Sequence, residues 1–351
     1  VKACGWAIAC FFLLLATRPI SAAEIRAVYR TDLDSNPHEL TAGERRGLVS
    51  RFFLTASGVP LNHRRGALVL EQQSGVKRFW TASATGQESG DVFIIQLVVR
   101  GHFWVTDGFK AFTGAQFKFK QATRAPGEES YLNGFFHFGL SARANAFLTG
   151  RAFVQAGGDD SRDLNLPETS FVELGAALVY ARHRHLTGNM HIGYRRTAFE
   201  RSALANARDA DIEEAGDQQR DRLLSVGVDV QAAYRAVIKL SYTYLKNRSN
   251  SFGYPFVAQQ VEGIFAVGSK FGVDVQGFTK FQLRSYDETL PDEVFSAVDE
   301  YAQAIAVLKL SRQLSRRYGI SGRFEWSRNG ARRGKAFYRK RVFAFSVEAG
   351  L

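Results

Sequence analysis

From Phe337 to Leu351 (FYRKRVFAFSVEAGL) the chain alternates in character, and this constrains its fold more than any other stretch. Phe343, Phe345, Val347, Ala349 and Leu351 fall on one face, while Lys340, Ala344, Ser346 and Glu348 fall on the other. A period of two marks a β-strand. Such a strand could be the edge of a soluble sandwich. It could equally turn its apolar stripe to a lipid bilayer, and then an arginine at Phe343 would face lipid and one at Ser346 would face inward.

The same unit recurs along the chain. Alternating stretches are expected at 25–33, 45–57, 66–80, 91–105, 108–121, 131–145, 147–157, 169–182, 185–199, 221–234, 236–249, 254–268, 272–286, 298–312, 316–328 and 337–351. That is about sixteen strands, within a range of 14–18. Tight turns fall near Thr106-Asp107, Ala146, His183-Arg184, Arg235, Phe271 and Ser315. Longer breaks fall at 34–44, 81–90, 122–130, 158–168, 200–220, 287–297 and 329–336. Short turns on one rim and long loops on the other describe a transmembrane, antiparallel, up-and-down β-barrel of the all-β class. A soluble sandwich has no cause for that alternation. Pro37, Pro60, Pro126, Pro167, Pro255 and Pro291 are all expected in breaks or at strand starts, where no ladder hydrogen bond is lost. Phe79-Trp80, Phe103-Trp104, Tyr242-Tyr244 and Phe324-Trp326 lie near strand ends, as in aromatic girdles.

Lys2, the apolar run from Trp6 to Ala16 and the small-residue site Ser21-Ala22-Ala23 read as a signal peptide over 1–23, cleaved after Ala23. The run is too short for a membrane-spanning helix, which needs ~20 residues. Residues 24–351 are then one barrel domain, exported to the outer membrane. Both cysteines, Cys4 and Cys10, lie in the leader, so the remainder carries neither a disulfide nor a thiolate metal site. Of 46 Lys+Arg, two (Lys2 and Arg18) are in the leader, leaving 44 against 34 Asp+Glu.

The segment Tyr242 to Tyr254 (YTYLKNRSNSFGY) resembles the strand–loop–strand signature of porin-like families of Gram-negative bacteria. The earlier DLDSNP at Asp32 to Pro37 is similar to the first-loop pattern of the same families. The resemblance covers residues 24–351 as architecture. It implies an outer-membrane channel, either a solute porin or one of the porin-like barrels through which exopolysaccharide leaves the cell. Many such barrels end in Phe or Trp, whereas this chain ends in Leu351.

If the apolar stripes face lipid, the other parity lines the pore. Its basic residues are Arg51, Arg100, Lys110, Lys118, Lys120, Arg143, Arg151, Arg195, Lys239, Lys280, Arg284, Arg323 and Lys340. Its acidic residues are Glu71, Glu173, Asp229, Glu262, Asp274, Glu325 and Glu348. Thirteen against seven gives a cationic wall, which concentrates anions, although carboxylate pairing across the lumen would consume part of it. Phe112, Phe135, Phe153 and Phe278 share that parity and could stack on sugar rings. Lys246, Arg248, Arg339 and Arg341 are expected outside, beside anionic lipopolysaccharide headgroups. Arg312, Arg316 and Arg317 lie at a periplasmic turn, where a solvated turn or a docking point for a periplasmic polysaccharide-export protein would both account for them.

Enzyme signatures are weak. His183, His185 and His191 straddle a turn without a carboxylate placed to complete a metal site. The acidic run Asp209, Asp211, Glu213, Glu214 lacks the glycine of a calcium loop. Ser249 or Ser251 near Asn250 has no evident histidine partner. No cofactor or metal is expected. Two channel readings stay open: a conduit for an anionic exopolysaccharide, and an anion-selective or general porin for small solutes, in which 200–220 or 158–168 would fold in to narrow the pore. An outer-membrane enzyme and an adhesin with a plugged lumen are further alternatives.

Overall fold

The computed structural model describes residues 21–35, 47–80, 90–123, 130–161, 168–183, 185–206, 212–269, 271–287, 304–329 and 338–350. These form sixteen antiparallel strands, each hydrogen-bonded to its sequence neighbours, with the last paired to the first so that the ring closes. In order they are β1 (Ser21–Asp34), β2 (Gly47–His63), β3 (Gly66–Trp80), β4 (Asp91–Thr106), β5 (Phe109–Thr123), β6 (Tyr131–Arg143), β7 (Leu148–Ser161) and β8 (Thr169–His183). There follow β9 (Leu186–Asn206), β10 (Ile212–Ala233), β11 (Ala236–Ser249), β12 (Phe256–Gly268), β13 (Val273–Tyr286), β14 (Ala304–Gln313), β15 (Tyr318–Asn329) and β16 (Tyr338–Gly350). Closure satisfies every strand edge, the condition for a sheet to cross a bilayer. A sixteen-strand ring tilted as such barrels are is roughly 30 Å across between backbones, wide enough for a solvent-filled lumen.

Side-chain exposure separates the two faces. On β16, Phe343 and Phe345 are 57% and 56% exposed, whereas their neighbours Val342, Ala344 and Ser346 are 3%, 7% and 8% exposed. The outer parity continues through Leu33, Phe52, Phe93, Phe136, Leu174, Met190, Leu240, Phe281 and Leu308, all large, apolar and exposed. In water this band would be unstable; against acyl chains it is matched. The chain is therefore an integral outer-membrane barrel. It is expected to migrate faster on an SDS gel before heating than after; identical mobility would contradict the closed sheet.

Several sequence-based expectations are corrected in detail. Pro60 lies inside β2, not in a break, at the place where pairing with β3 jumps from Gly58 to Leu61, so its missing N–H costs no regular ladder bond. Asp32 and Asp34 of the DLDSNP motif end β1 on its inward face, where a first loop was expected. β1 begins at Ser21, within the expected leader; residues 1–20 of that leader lie outside the described residues. The long break at 200–220 is mostly strand, since β9 continues to Asn206 and β10 begins at Ile212. This β9–β10 arm is braced by the β11–β12 turn: Phe252 N–H donates to the Leu204 carbonyl at 2.8 Å, Leu204 N–H to Ser251 Oγ at 2.9 Å, and Arg220 N–H to Asn250 Oδ1 at 2.6 Å. The described part of the arm is therefore not folded into the pore, and 207–211 lie outside the described residues. The other candidate for an inward loop, 158–168, is strand as far as Ser161, and 162–167 lie outside the described residues. Adjacent aromatics also cannot all join one girdle: Trp80 and Phe103 point out, but Phe79 is fully buried on the inner face and Trp104 turns inward beneath Lys110. The period of two forbids adjacent residues from sharing a face.

Candidate functional site: the inner wall

Strand register fixes which residues share the inner face, because directly opposed partners point the same way. Starting from Ser346 on β16, the pairs run through Arg30–Ser346, Arg30–Arg51, Arg51–Lys77 and onward around the ring. All thirteen basic and seven acidic residues named above lie on this face, opposite the exposed apolar band.

They do not form a uniform lining. At the loop-side end of β1, β2 and β16, Asp32 is completely buried between Arg30 and Arg51, the latter at 2.7 Å, and Lys340 reaches Asp34 at 3.4 Å. Val49, Phe79 and Val92 beside them have no solvent exposure, with Ile94 and Ala122 packed against the cluster. Arg51 and Lys340 thus neutralise buried carboxylates there. Elsewhere Arg100 forks onto Glu71, Arg195 pairs with Glu173 at 2.6 Å, Arg323 with Glu325 at 2.5 Å, Lys239 with Asp229 at 3.7 Å and Lys280 with Glu262 at 3.9 Å. Arg284 stacks 4.3 Å from the Phe256 ring and donates to Tyr286 Oη at 2.9 Å. Lys120 lies 5.5 Å from the Tyr131 ring. Glu348 meets Lys309 at 3.7 Å.

What remains is concentrated on β5, β6 and β7. Among the described residues Lys110, Lys118, Arg143 and Arg151 have no carboxylate within ion-pair distance; Lys110 and Lys118 sit over the Trp104 and Tyr131 rings, each at 5.2 Å. The register aligns Lys110 with Ser141 and Ser141 with Arg151, so the two cations stand in one row two strands apart. Asp274 is the one acidic residue of the seven without a cation partner among the described residues, and it lies far around the ring on β13.

Aromatic rings occupy the next rows of the same wall. Phe112 lies against Gly139, Phe153 against Gly175, His137 against Gly114 and His191 against Gly227, so closely that a methyl group at any of these glycines would overlap the ring. Glycine therefore lets each ring lie flat on the wall and show its face to the lumen. Phe112 and Phe153, with Arg151, Glu173, Asn189, His191 and Ser225, line a recess of about 330 Å³. Asn189 Nδ2 donates to Asp229 at 2.9 Å, and His191 is 4.0 Å from the same carboxylate. Phe135 and Phe278 also lie on the inner parity.

Among the described residues, the charged inner-face residues beyond the twenty are Arg26, Arg30, Lys77, Arg201 and Lys309, together with Glu24, Asp32, Asp34, Asp159, Glu213 and Asp221. Five cations and six carboxylates bring the excess of six to five. Glu24, Asp34, Asp159, Arg201 and Glu213 sit where a strand continues past its expected end; the other six lie within expected strands, on the same parity as the twenty.

The enzyme candidates are engaged otherwise. Ser251 Oγ and Asn250 brace the β9–β10 arm. His185 is held at the Ala233 carbonyl at 2.7 Å. Asp209 and Asp211 lie outside the described residues, among which no group of three potential metal ligands occurs.

Beyond the wall, the charges of Glu200 and Asp160 raise the Glu168 carboxyl above the usual glutamate value. A raised acid stabilises the folded rim at low pH and loses that contribution as pH rises through its folded value. The Glu200 N–H that donates to the Glu168 carbonyl at 2.9 Å should accordingly exchange faster, after correction for intrinsic rate, as pH climbs above ~4.5. Glu168→Gln should flatten that dependence.

No protein-family model matches the sequence, and no curated protein matches it. Among solved structures, OccAB3 of Acinetobacter baumannii is similar over 95% of this chain and 100% of its own, at 8% identity and a TM-score of 0.47. OccK8 (OprE) of Pseudomonas aeruginosa covers 95% and 98%, at 9% identity and 0.45. A TodX variant, described as a monoaromatic hydrocarbon channel, covers 96% and 91%, at 8% identity and 0.42.

Proposed function

We propose that this barrel is a channel with a cationic lumen and that it conducts an anionic exopolysaccharide outward. The observation that carries the reading is the coincidence on β5–β7 of unpaired Lys110, Lys118, Arg143 and Arg151 with rings laid flat on glycine seats. Cations without carboxylate partners lower the energy of passing anions. Flat aromatic faces bordered by Glu173 and Asn189 suit the apolar face and hydroxyls of a sugar. Many weak contacts let a polymer slide without trapping it. No catalytic step is part of this reading.

Delivery would come from a periplasmic export protein at the short-turn rim. Exposed Arg316 and Arg317 stand there on the β14–β15 turn, held by Ser315 Oγ, which accepts from the Arg317 and Tyr318 N–H groups at 3.2 and 3.1 Å. The second reading, a porin for small anionic solutes, uses the same cations without needing the rings.

Two measurements test the proposal. Reconstituted in planar bilayers under a salt gradient, the protein should give a reversal potential of anion-selective sign; cation selectivity would sink the electrostatic claim. A deletion strain should retain its acidic polysaccharide in the periplasm. If export continues unchanged while the channel is anion-selective, only the small-solute reading stands.

A further inference from the structure

The outer face carries a cluster that the lumen does not use. Arg222 of β10 is directly opposite Arg196 of β9 on one side and Arg248 of β11 on the other. All three are exposed and on the outer parity, in line with exposed Val226, Val228 and Met190. Lys246 and Arg220 flank the row on the same face, opposite Leu224 and Ala198 respectively. Like charges directly opposed across strands repel. Among the described residues none of these five side chains has a carboxylate within ion-pair distance. The nearest acid on this face of β9, Glu200, is two face positions farther out than Arg196.

Height on the barrel identifies what could compensate them. Arg196 is ten residues from the start of β9 at Leu186, beside a short turn. At ~3.3 Å per residue and a tilt of about 40°, that places the row ~25 Å above the short-turn rim, the height of the apolar band. Tyr194 lies one face position below the row and Tyr244 two, level with Ile192 and Val226, and Leu240 continues toward the rim. The surface therefore reads, from the midplane outward, as aliphatic, then tyrosine, then guanidinium. That sequence matches an amphiphile with acyl chains below and phosphate above, and guanidinium forks bind phosphate in bidentate fashion.

We propose that Arg196, Arg222 and Arg248, flanked by Arg220 and Lys246, form a binding site for the phosphorylated glucosamine headgroup of lipid A in the outer leaflet. The occupant is the lipid and not free phosphate, because the aliphatic and tyrosine strip continues directly beneath the cations. The site is independent of the lumen and of what passes through it.

The test uses the full-length barrel in detergent, titrated by native mass spectrometry with bis-phosphorylated lipid A, with its enzymatically dephosphorylated form, and with inorganic phosphate. The wild type should bind the phosphorylated lipid at least about tenfold more tightly than the dephosphorylated one, as expected when charge-assisted hydrogen bonds are lost. An Arg196→Gln, Arg222→Gln, Arg248→Gln variant should lose that preference while keeping its heat-modifiable mobility; the lumenal Lys118→Gln should retain it. Equal binding of the two lipids by the wild type, which is informative even if the triple variant does not fold, would overturn the proposal. So would an unchanged preference in the folded variant, or displacement of the lipid by millimolar inorganic phosphate.

Discussion

An arginine at Phe343 should cost the folded barrel about 2–4 kcal/mol, the penalty for a cation on the lipid face near the midplane. Phe343 is in the middle of β16, 57% exposed, opposite Leu33 of β1 and Phe324 of β15, whose ring centroid is 4.9 Å away. Among the described residues no carboxylate stands beside it on that face to pair with the guanidinium, and from mid-strand it cannot reach water without distorting the sheet. The matched control is inward: Gln155→Arg stands opposite Glu173, so the new charge gains a carboxylate and the change should stay within about 0.5 kcal/mol. Ser346 would be a poor control although it faces inward, because it is 8% exposed and its hydroxyl is 3.3 Å from that of Ser321. An arginine at Ser346 would face inward, as the alternation implies, but the wall there is packed and leaves it little space. Urea unfolding in lipid vesicles measures both substitutions. Equal losses would mean that the two faces are exchanged.

Parity was legible because a bilayer and a water-filled lumen impose opposite demands on alternate residues, and sixteen strands repeat the pattern. Strand ends were less legible. Past the lipid band both faces of a strand meet water, so the apolar signal stops before the hydrogen bonding does. This is why the β9–β10 arm read as a loop and why Asp32 and Asp34 were placed in one. Pairing was not legible at all. Lys280 and Lys110 look equivalent in the sequence, yet Lys280 faces Glu262 across β12–β13 at 3.9 Å and Lys110 faces Ser141. Cross-strand partners depend on register, and register depends on the sum of all turns before it. The glycine seats were hidden for the same reason: Gly139 and Gly175 acquire meaning only when Phe112 and Phe153 are known to lie opposite them.

That difference between paired and unpaired cations sets the second large effect. Changing Lys110, Lys118 and Arg151 together to Glu should reverse the sign of the channel's selectivity. The substitution shifts the charge of one lumen sector by six units, where no described carboxylate is within ion-pair distance of the three cations. Changing Lys280 to Gln should do far less, since it removes a cation whose field Glu262 already offsets. Across roughly 30 Å of barrel the field must survive screening, and the Debye length is only ~8 Å at physiological ionic strength. An ion passing near β5–β7 therefore feels the sector strongly, while one near the opposite wall does not. Selectivity should accordingly be partial in the wild type and fade toward 1 M salt, where the screening length falls to ~3 Å. Reversal potentials across a tenfold salt gradient, taken at low and high mean concentration, measure each part. If the triple variant stays as anion-selective as the wild type, the cations of β5–β7 do not govern passage, and the pore's charge selection resides elsewhere on the wall.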